Sequence, residues 1–275
     1  MQHFLITILL VIISADFCTS SQTITMSNFL TAKTAIVTGG SGTIGKSIAK
    51  SLLTSGCNVI ITGRNQKRLD AAVADLTTDD ANIGDIHPFS CEVTKEEDVI
   101  NLFNFAQTTF GGIDLLVNNA GTSAPGATTE LTLDDFRHVM EVNVTGPFLC
   151  SRQAIRFMKE KKAGGRIINI GSISAQSPRP DGCPYTTSKF ALLGLTQSLS
   201  LDCRPDNIAV GIIHPGNVVS GMLSPEEVAR RGESEGFMNP EDVAACVLAM
   251  ASLPYHANVL EMTVIPTKQP LVGRG

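Results

Sequence analysis

The chain of 275 residues has no tryptophan and only two tyrosines, Tyr185 and Tyr255. With so few phenols, the position of each has to be accounted for. Charged residues make up 17% and the net charge is −5, with no long basic run. That balance argues against a nucleic-acid partner and against a disordered chain. The seven cysteines (18, 57, 91, 150, 183, 203 and 246) include no CxxC and no metal-like spacing. Several sit inside apolar runs such as "LLTSGCNVII", so they read as buried reduced thiols, with no disulfide framework and no metal site. No apolar run reaches the roughly 20 residues of a bilayer span, so no stable membrane span is expected. Residues 4–15, "FLITILLVIISA", have the length of a signal-peptide core, but neither Lys nor Arg precedes them. Two readings of residues 1–25 stay open. They are a cleaved signal, or a dispensable extension upstream of a chain that functionally begins at Met26.

What is present in quantity is apolar residues, 43% of the chain, enough for a sizeable core. From Lys33 onward, short β-branched runs alternate with segments of helical period. "TAIVTG" (34–39), "NVIITG" (58–63), "DIHPFSCEV", "IDLLVNNAG", "GRIINIGS", "NIAVGIIHPG" and "VLEMTVIP" read as strands. Between them, Ile44, Ile48 and Leu52 form a helical stripe, and Leu69, Val73 and Leu76 another. One long helix is expected through "LDDFRHVMEVNVTGPFLCSRQAIRFMKEK", one from Tyr185 to Cys203, and a capped one at "NPEDVAACVLAMASL". Strict alternation with fully apolar strands predicts an α/β fold: a Rossmann-like doubly wound parallel sheet of about seven strands. With no linker, residues 26–275 form a single domain. The polar stretch 221–236 reads as a mobile lid or as an ordinary exposed helix and loop.

"TGGSGTIGKS" (38–47) fits two phosphate-binding signatures. As Gly40-x-Gly42-x-x-Gly45 it is a dinucleotide fingerprint; as Gly40-x-x-x-x-Gly45-Lys46-Ser47 it is a triphosphate P-loop. The second needs another apolar strand ending in Asp to hold magnesium, and no strand here ends that way. The first needs a discriminating residue at the end of the second strand, where Gly63-Arg64 stands. Without a carboxylate nothing there repels a 2′-phosphate, and Arg64 can bond to one, which favours NADP(H) over NAD(H). The plainer alternative is a solvated surface arginine.

Tyr185-Thr-Thr-Ser-Lys189 sets a phenol and an ammonium four apart on one helix face. The ammonium is expected to lower the phenol's pKa toward neutrality, as a general acid/base for alcohol–carbonyl interconversion requires. Together with "TGGSGTIG", "NNAG" (118–121), Asn143 in "EVNVTGPF", "INIGSIS" (168–174) and "HPGNVVS" (214–220), these residues make the sequence resemble the short-chain dehydrogenase/reductase family from Thr34 to Pro266. Ser172 stands at the family's spacing before Tyr185. The resemblance implies that Tyr185 moves the proton, Lys189 supports it and bonds the nicotinamide ribose, and Ser172 holds the substrate oxygen. It implies for Asn143 a water of a proton relay; the plainer reading is an Asn bonded to a kinked backbone. Gly39, Ser41, Gly42, Thr43, Ile44 and Gly45 would bind the cofactor's phosphates. Asn119, Ala120 and Gly121 would border its ribose and backbone, and Glu92 and Val93 would sit beside the adenine. Pro215, Gly216 and Val218 would contact the carboxamide.

Two departures stand out: Thr43 where the family prefers glycine, and a C-terminus without the frequent acidic-Gly-Gly ending. The resemblance thus implies an NADP(H)-dependent oxidoreductase acting on a small-molecule ketone or secondary alcohol, with a non-catalytic NADP(H)-binding scaffold or sensor as the alternative. It also implies a homo-dimer or homo-tetramer assembled through the helices of Asn143 and Tyr185. A cytoplasmic site is expected, or the secretory pathway if residues 1–20 act as a signal. Substrate-pocket residues are expected from 124–129, 176–184 and 221–236, with Arg179 read as a surface residue more readily than as a partner for an acidic substrate.

Overall fold

Apolar β-branched runs leave little choice but burial on both faces, and the strands obey. In the computed structural model, which describes residues 29–77, 84–221 and 225–271, β1 (Thr34–Thr38) has every residue buried. The signal-like segment 1–25 and Cys18 lie outside the described residues. β2 (Asn58–Gly63), β3 (Ile86–Ser90), β4 (Leu115–Asn118), β5 (Gly165–Ile170), β6 (Ile208–Pro215) and β7 (Glu261–Val264) join β1 in one parallel sheet of order β3-β2-β1-β4-β5-β6-β7. The strand order reverses between β1 and β4, and in such sheets that crevice is where ligands bind. The doubly wound, single-domain architecture expected from the alternation is the one observed.

The helices cover both faces. α1 (Thr43–Thr54) and α8 (Pro240–Ala251) pack on one side, over a cluster that includes Val37, Ile61 and Val117. α3 (Glu96–Phe110) and α5 (Gly146–Lys161) close the other, over Ile36, Ile60 and Leu116. Burying one such side chain fully contributes about 1.5–3 kcal/mol. Ends are specified locally. Asn65 caps α2 (Gln66–Leu76), and Gly111 in the left-handed region (φ +76°) ends α3. Reciprocal capping boxes, Thr132 with Asp135 and Asn239 with Asp242, start α4 (Leu133–Met140) and α8. β3 carries Pro88 mid-strand, which an edge strand tolerates because one row of its amides has no ladder partner.

Two expectations need correction, on the long helix and on Cys183, and one open alternative, for 221–236, gains a helix. The long helix is not continuous: residues Glu141–Thr145 form a π-turn between α4 and α5, with Gly146 N donating to Glu141 O. Pro147 explains part of this, having no N–H for the carbonyl of Asn143 four residues earlier. The stretch 221–236 holds a short helix, α7 (Pro225–Gly232), with 222–224 outside the described residues. Finally, Cys57, Cys91, Cys150 and Cys203 are buried free thiols as expected, and Cys246 is half-buried, but Cys183 is exposed on the first turn of α6 (Cys183–Asp202). Among the described residues no helix is long and apolar enough to cross a membrane.

Candidate active site

The carboxyl ends of β1, β2, β4, β5 and β6 open into one cavity of about 960 Å³. Its floor is the turn after β1. Gly39 adopts φ +64°, and a Cβ there would come within 2.9 Å of Ala120 Cα. A Cβ on Gly40 would meet Ile61 Cβ at 2.6 Å, and one on Gly45 would meet the Gly39 carbonyl at 2.4 Å. Gly39 and Gly45 are required by close backbone contact, and Gly40 by the Ile61 side chain packed against it. Gly42 is different: it is the N-cap of α1 with an ordinary φ of −82°, and no side chain caps the helix. Thr43 is the exposed first residue of α1, so its Cβ crowds nothing in the turn. Uncapped amides at a helix start facing a glycine cradle suit a pyrophosphate. Gly45→Ala is expected to cost at least several kcal/mol, or to abolish cofactor binding, as thermal unfolding and titration with nicotinamide dinucleotides will measure.

The P-loop reading fails on the side chains. Lys46 Nζ pairs with Asp75 at 2.9 Å, and Ser47 Oγ donates to Glu241 at 2.8 Å. Both are engaged by neighbouring helices, not by the loop.

The segment after β4 is tied to this turn. Thr38 Oγ1 accepts from the amides of Asn119 and Ala120, each at 3.0 Å, and Asn119 Nδ2 donates to the carbonyls of Thr38 and Gly39. Next to it, Asn143 sits in the π-turn, 1% exposed. Its Nδ2 donates to Thr122 O and Ser188 Oγ, and its Oδ1 accepts from Thr122 N, all at 2.9 Å. The side chain is therefore fully engaged in joining α4, α6 and the post-β4 segment. Its partners lie on the post-β4 segment and α6, not on the kinked backbone of its own helix, and Asn143 is the one candidate site residue that does not line the cavity.

β5 and α6 bring Ser172, Tyr185 and Lys189 together. Ser172 follows β5, and its Oγ accepts from Ser174 N at 3.1 Å, capping the 3₁₀ turn Ile173–Ala175. Its hydroxyl also meets the Tyr185 phenol. Lys189 Nζ lies 5.4 Å from the Tyr185 ring centroid and donates to Ile170 O at 2.8 Å. Burial pushes the Tyr185 phenol above its ordinary value, against a smaller lowering by the Ser172 hydrogen bond. The expectation that Lys189 drags the phenol toward neutrality is thus not met, because desolvation dominates. Burial also pulls the Lys189 ammonium down to about 8.

Every other cofactor candidate lines the same cavity: Gly39, Ser41, Gly42, Thr43, Ile44 and Gly45 on the phosphate turn, Arg64 after β2, Glu92 and Val93 after β3, Asn119, Ala120 and Gly121 after β4, and Pro215, Gly216 and Val218 at β6. Arg64 is largely exposed, with Nε 3.6 Å from Glu92 Oε2. Of the pocket segments, Ala124, Pro125, Arg179 to Gly182, Gly221 and Arg231 reach it. Arg179 is neither a free surface residue nor a free cation, because Glu235 engages it. Sequence reasoning missed Arg68 and His138, which face the cavity from α2 and α4 one turn or more from any motif. It also missed His214, fully buried beneath Ser172 with Nδ1 2.9 Å from the Ser172 carbonyl.

The family model described as short chain dehydrogenase matches residues 33–230. The chain belongs to the short-chain dehydrogenase/reductase family. This short-chain dehydrogenase/reductase is 32% identical over 237 residues to an uncharacterized oxidoreductase of Staphylococcus aureus, covering 86% of this chain and 98% of that one. It is 30% identical over 250 residues to dehydrogenase/reductase SDR family member 11 of Gallus gallus, covering 87% and 98%. Among solved structures, a short-chain type dehydrogenase/reductase from Mycobacterium marinum superposes with a TM-score of 0.80 at 27% identity, over 86% of this chain and 95% of that one. The chain is accordingly an oxidoreductase of a family that typically binds a nicotinamide cofactor, NAD or NADP.

Proposed function

We propose that the chain is an NADP(H)-dependent oxidoreductase that interconverts a small-molecule ketone and a secondary alcohol, with Tyr185 as general acid/base. The observation that carries this reading is the convergence of the Tyr185 phenol, the Ser172 hydroxyl and the Lys189 ammonium at one end of a cavity whose other end is a glycine cradle. When bound, the dinucleotide supplies or accepts the hydride. Tyr185 gives its proton to the carbonyl oxygen in reduction and takes it back in oxidation. Ser172 donates to the same oxygen as charge develops on it. Lys189, buried and donating to the Ile170 carbonyl, stabilises the phenolate left behind and would hold the nicotinamide ribose. Asn143 holds the π-turn and the post-β4 segment in register beside them. NADPH oxidation against a panel of ketones tests the reading; equal rates for the protein and for Tyr185→Phe would overturn it.

The preference for NADP(H) rests on Arg64 and Arg68, which flank the end of β2 with no carboxylate between them. Glu92 already pairs with Arg64, but at 3.6 Å with the arginine largely exposed the pair contributes on the order of 1 kcal/mol, less than a charge-assisted bond to a phosphate dianion. Arg64→Ala is expected to weaken NADPH about 10- to 100-fold and to leave NADH within about twofold, as fluorescence titration will measure. Phe148 and Phe190, exposed on α5 and α6, support a homo-dimer or homo-tetramer through those helices, which sedimentation can check. The buried, fully bonded Asn143 is the chain's one glycosylation sequon, and this supports a cytoplasmic site.

A further inference from the structure

Glu235 stands where four separate chain segments meet. Its Oε1 accepts from Arg179 Nη1 at 3.1 Å, in the loop that follows the Ser172 turn. Its Oε2 accepts from Arg179 Nη2, from Asn217 Nδ2 at 2.8 Å and from Gln269 Nε2 at 3.3 Å. Asn217 belongs to the turn after β6, and Gln269 to the tail after β7. The remaining groups close on one another. Arg179 Nη2 donates to Asn217 Oδ1, Asn217 Nδ2 donates to Gly236 O, and the main-chain amide of Asn217 donates to Gln269 Oε1 at 2.9 Å. Gln269 is 3% exposed and sits directly on the turn, since a Cβ on Gly216 would come within 2.0 Å of its Oε1. Hydrogen bonds from Arg179 hold the Glu235 carboxyl at about 2, so the assembly stays charged throughout any working pH.

We infer that Glu235 and Gln269 are positioning residues for the nicotinamide end of the cavity: together they hold the turn Pro215–Val218 in shape before any cofactor arrives. This rests on the reading that the turn receives the carboxamide. The turn has little of its own to keep it rigid. Its main-chain ties are Gly216 N to Val264 O on the neighbouring strand and, at its far end, a single bridge between Val218 and Met238 made by Met238 N to Asn217 O and Val219 N to Met238 O. Without the carboxylate, Arg179 and the Asn217 and Gln269 amides lose their shared acceptor, and the turn must be ordered at the expense of binding. The tail that departs from the family's usual ending is, on this inference, part of the site.

The experiment compares a whole cofactor with a fragment that lacks the nicotinamide. Calorimetric titration of the full chain with NADPH and with 2′-phospho-ADP-ribose is expected to show NADPH weakened about tenfold in Glu235→Ala, with the fragment unchanged within about twofold. Gln269→Ala, which removes only the tail's amide, is expected to move NADPH in the same direction by about threefold and is scored in the same way if Glu235→Ala does not fold. Equal losses for both ligands, or no loss for either, would overturn the inference. Should the wild-type protein prefer NADH, the 2′-phosphate reading fails, and the same comparison with NADH and ADP-ribose upholds or overturns the positioning role on its own.

Discussion

Carbonyl reduction by Tyr185→Phe is expected to fall about 10³-fold, with cofactor affinity unchanged within about threefold. The variant removes one oxygen. The ring, its packing and the cation beneath it stay in place, so what disappears is the proton donor and the Ser172 hydrogen bond. General acid catalysis contributes typically 10²- to 10⁴-fold, which sets the size of the effect. Steady-state rates with a ketone substrate, alongside NADPH titration, separate the two quantities. The pH dependence carries a sign as well. Burial holds the Tyr185 phenol above its ordinary value, so it keeps its proton through neutral pH. Reduction should therefore be flat across neutrality, while oxidation, which needs the phenolate, should rise with pH. A reduction rate that instead falls steeply between about pH 5 and 7, below the range in which Lys189 loses its proton, would show that the phenol titrates far lower than its desolvation implies.

The second large effect separates stability from activity. Lys189→Met should cost at least about 10²-fold in turnover, because nothing then offsets charge on Tyr185. Its stability relative to wild type should also depend strongly on pH. The folded Lys189 ammonium titrates at about 8, below its ordinary value of 10.5, so folding disfavours the proton. The wild-type protein bears the full cost of burying that charge below pH 8 and loses the cost as pH rises from about 8 to 10.5. That difference corresponds to about 3 kcal/mol. Methionine carries no charge but orphans the Ile170 carbonyl, which costs about 1–3 kcal/mol. At pH 7 the two terms oppose each other, whereas near pH 10.5 only the second remains. Urea unfolding should show the variant equal to or up to about 2 kcal/mol more stable than wild type at pH 7 and about 1–3 kcal/mol less stable near pH 10.5, a change of about 3 kcal/mol between the two. A gap that does not change with pH would place the ammonium at its ordinary value.

How much of this was legible beforehand follows from the range of each interaction. β1 and β2 are written in contiguous apolar runs ending at glycine, and their residues fall where the pattern put them. The cavity lining from Gly39 to Gly45 was readable because a turn, a helix start and a close backbone approach all leave local marks. The π-turn was not. It depends on Asn143 meeting Thr122 and Ser188, 21 and 45 residues away, and no periodicity in "EVNVTG" signals it. Arg179 looked like surface because its partner Glu235 lies 56 residues on, within a stretch that reads only as polar. His214 was hidden inside an apolar strand, where a lone histidine gives no hint that it faces the Ser172 backbone. Conversely, Lys46 and Ser47 mimic a phosphate motif in one dimension, and only the third dimension shows them turned toward Asp75 and Glu241.

The π-turn also sets the phase of the helices on either side of it. One residue of an α-helix corresponds to about 100° of rotation, so a single residue of slack between α4 and α5 lets each present a different side to the protein. α4 buries only Val139, while α5 buries a broad stripe from Gly146 to Met158. Deleting one residue from Glu141–Thr145 would restore an unbroken helix and turn α4, with His138 and the cavity wall it carries, by roughly a quarter turn relative to α6, against which it packs. The length of that five-residue segment is thus a clutch between substrate wall and scaffold, fixed by residue count as much as by residue identity.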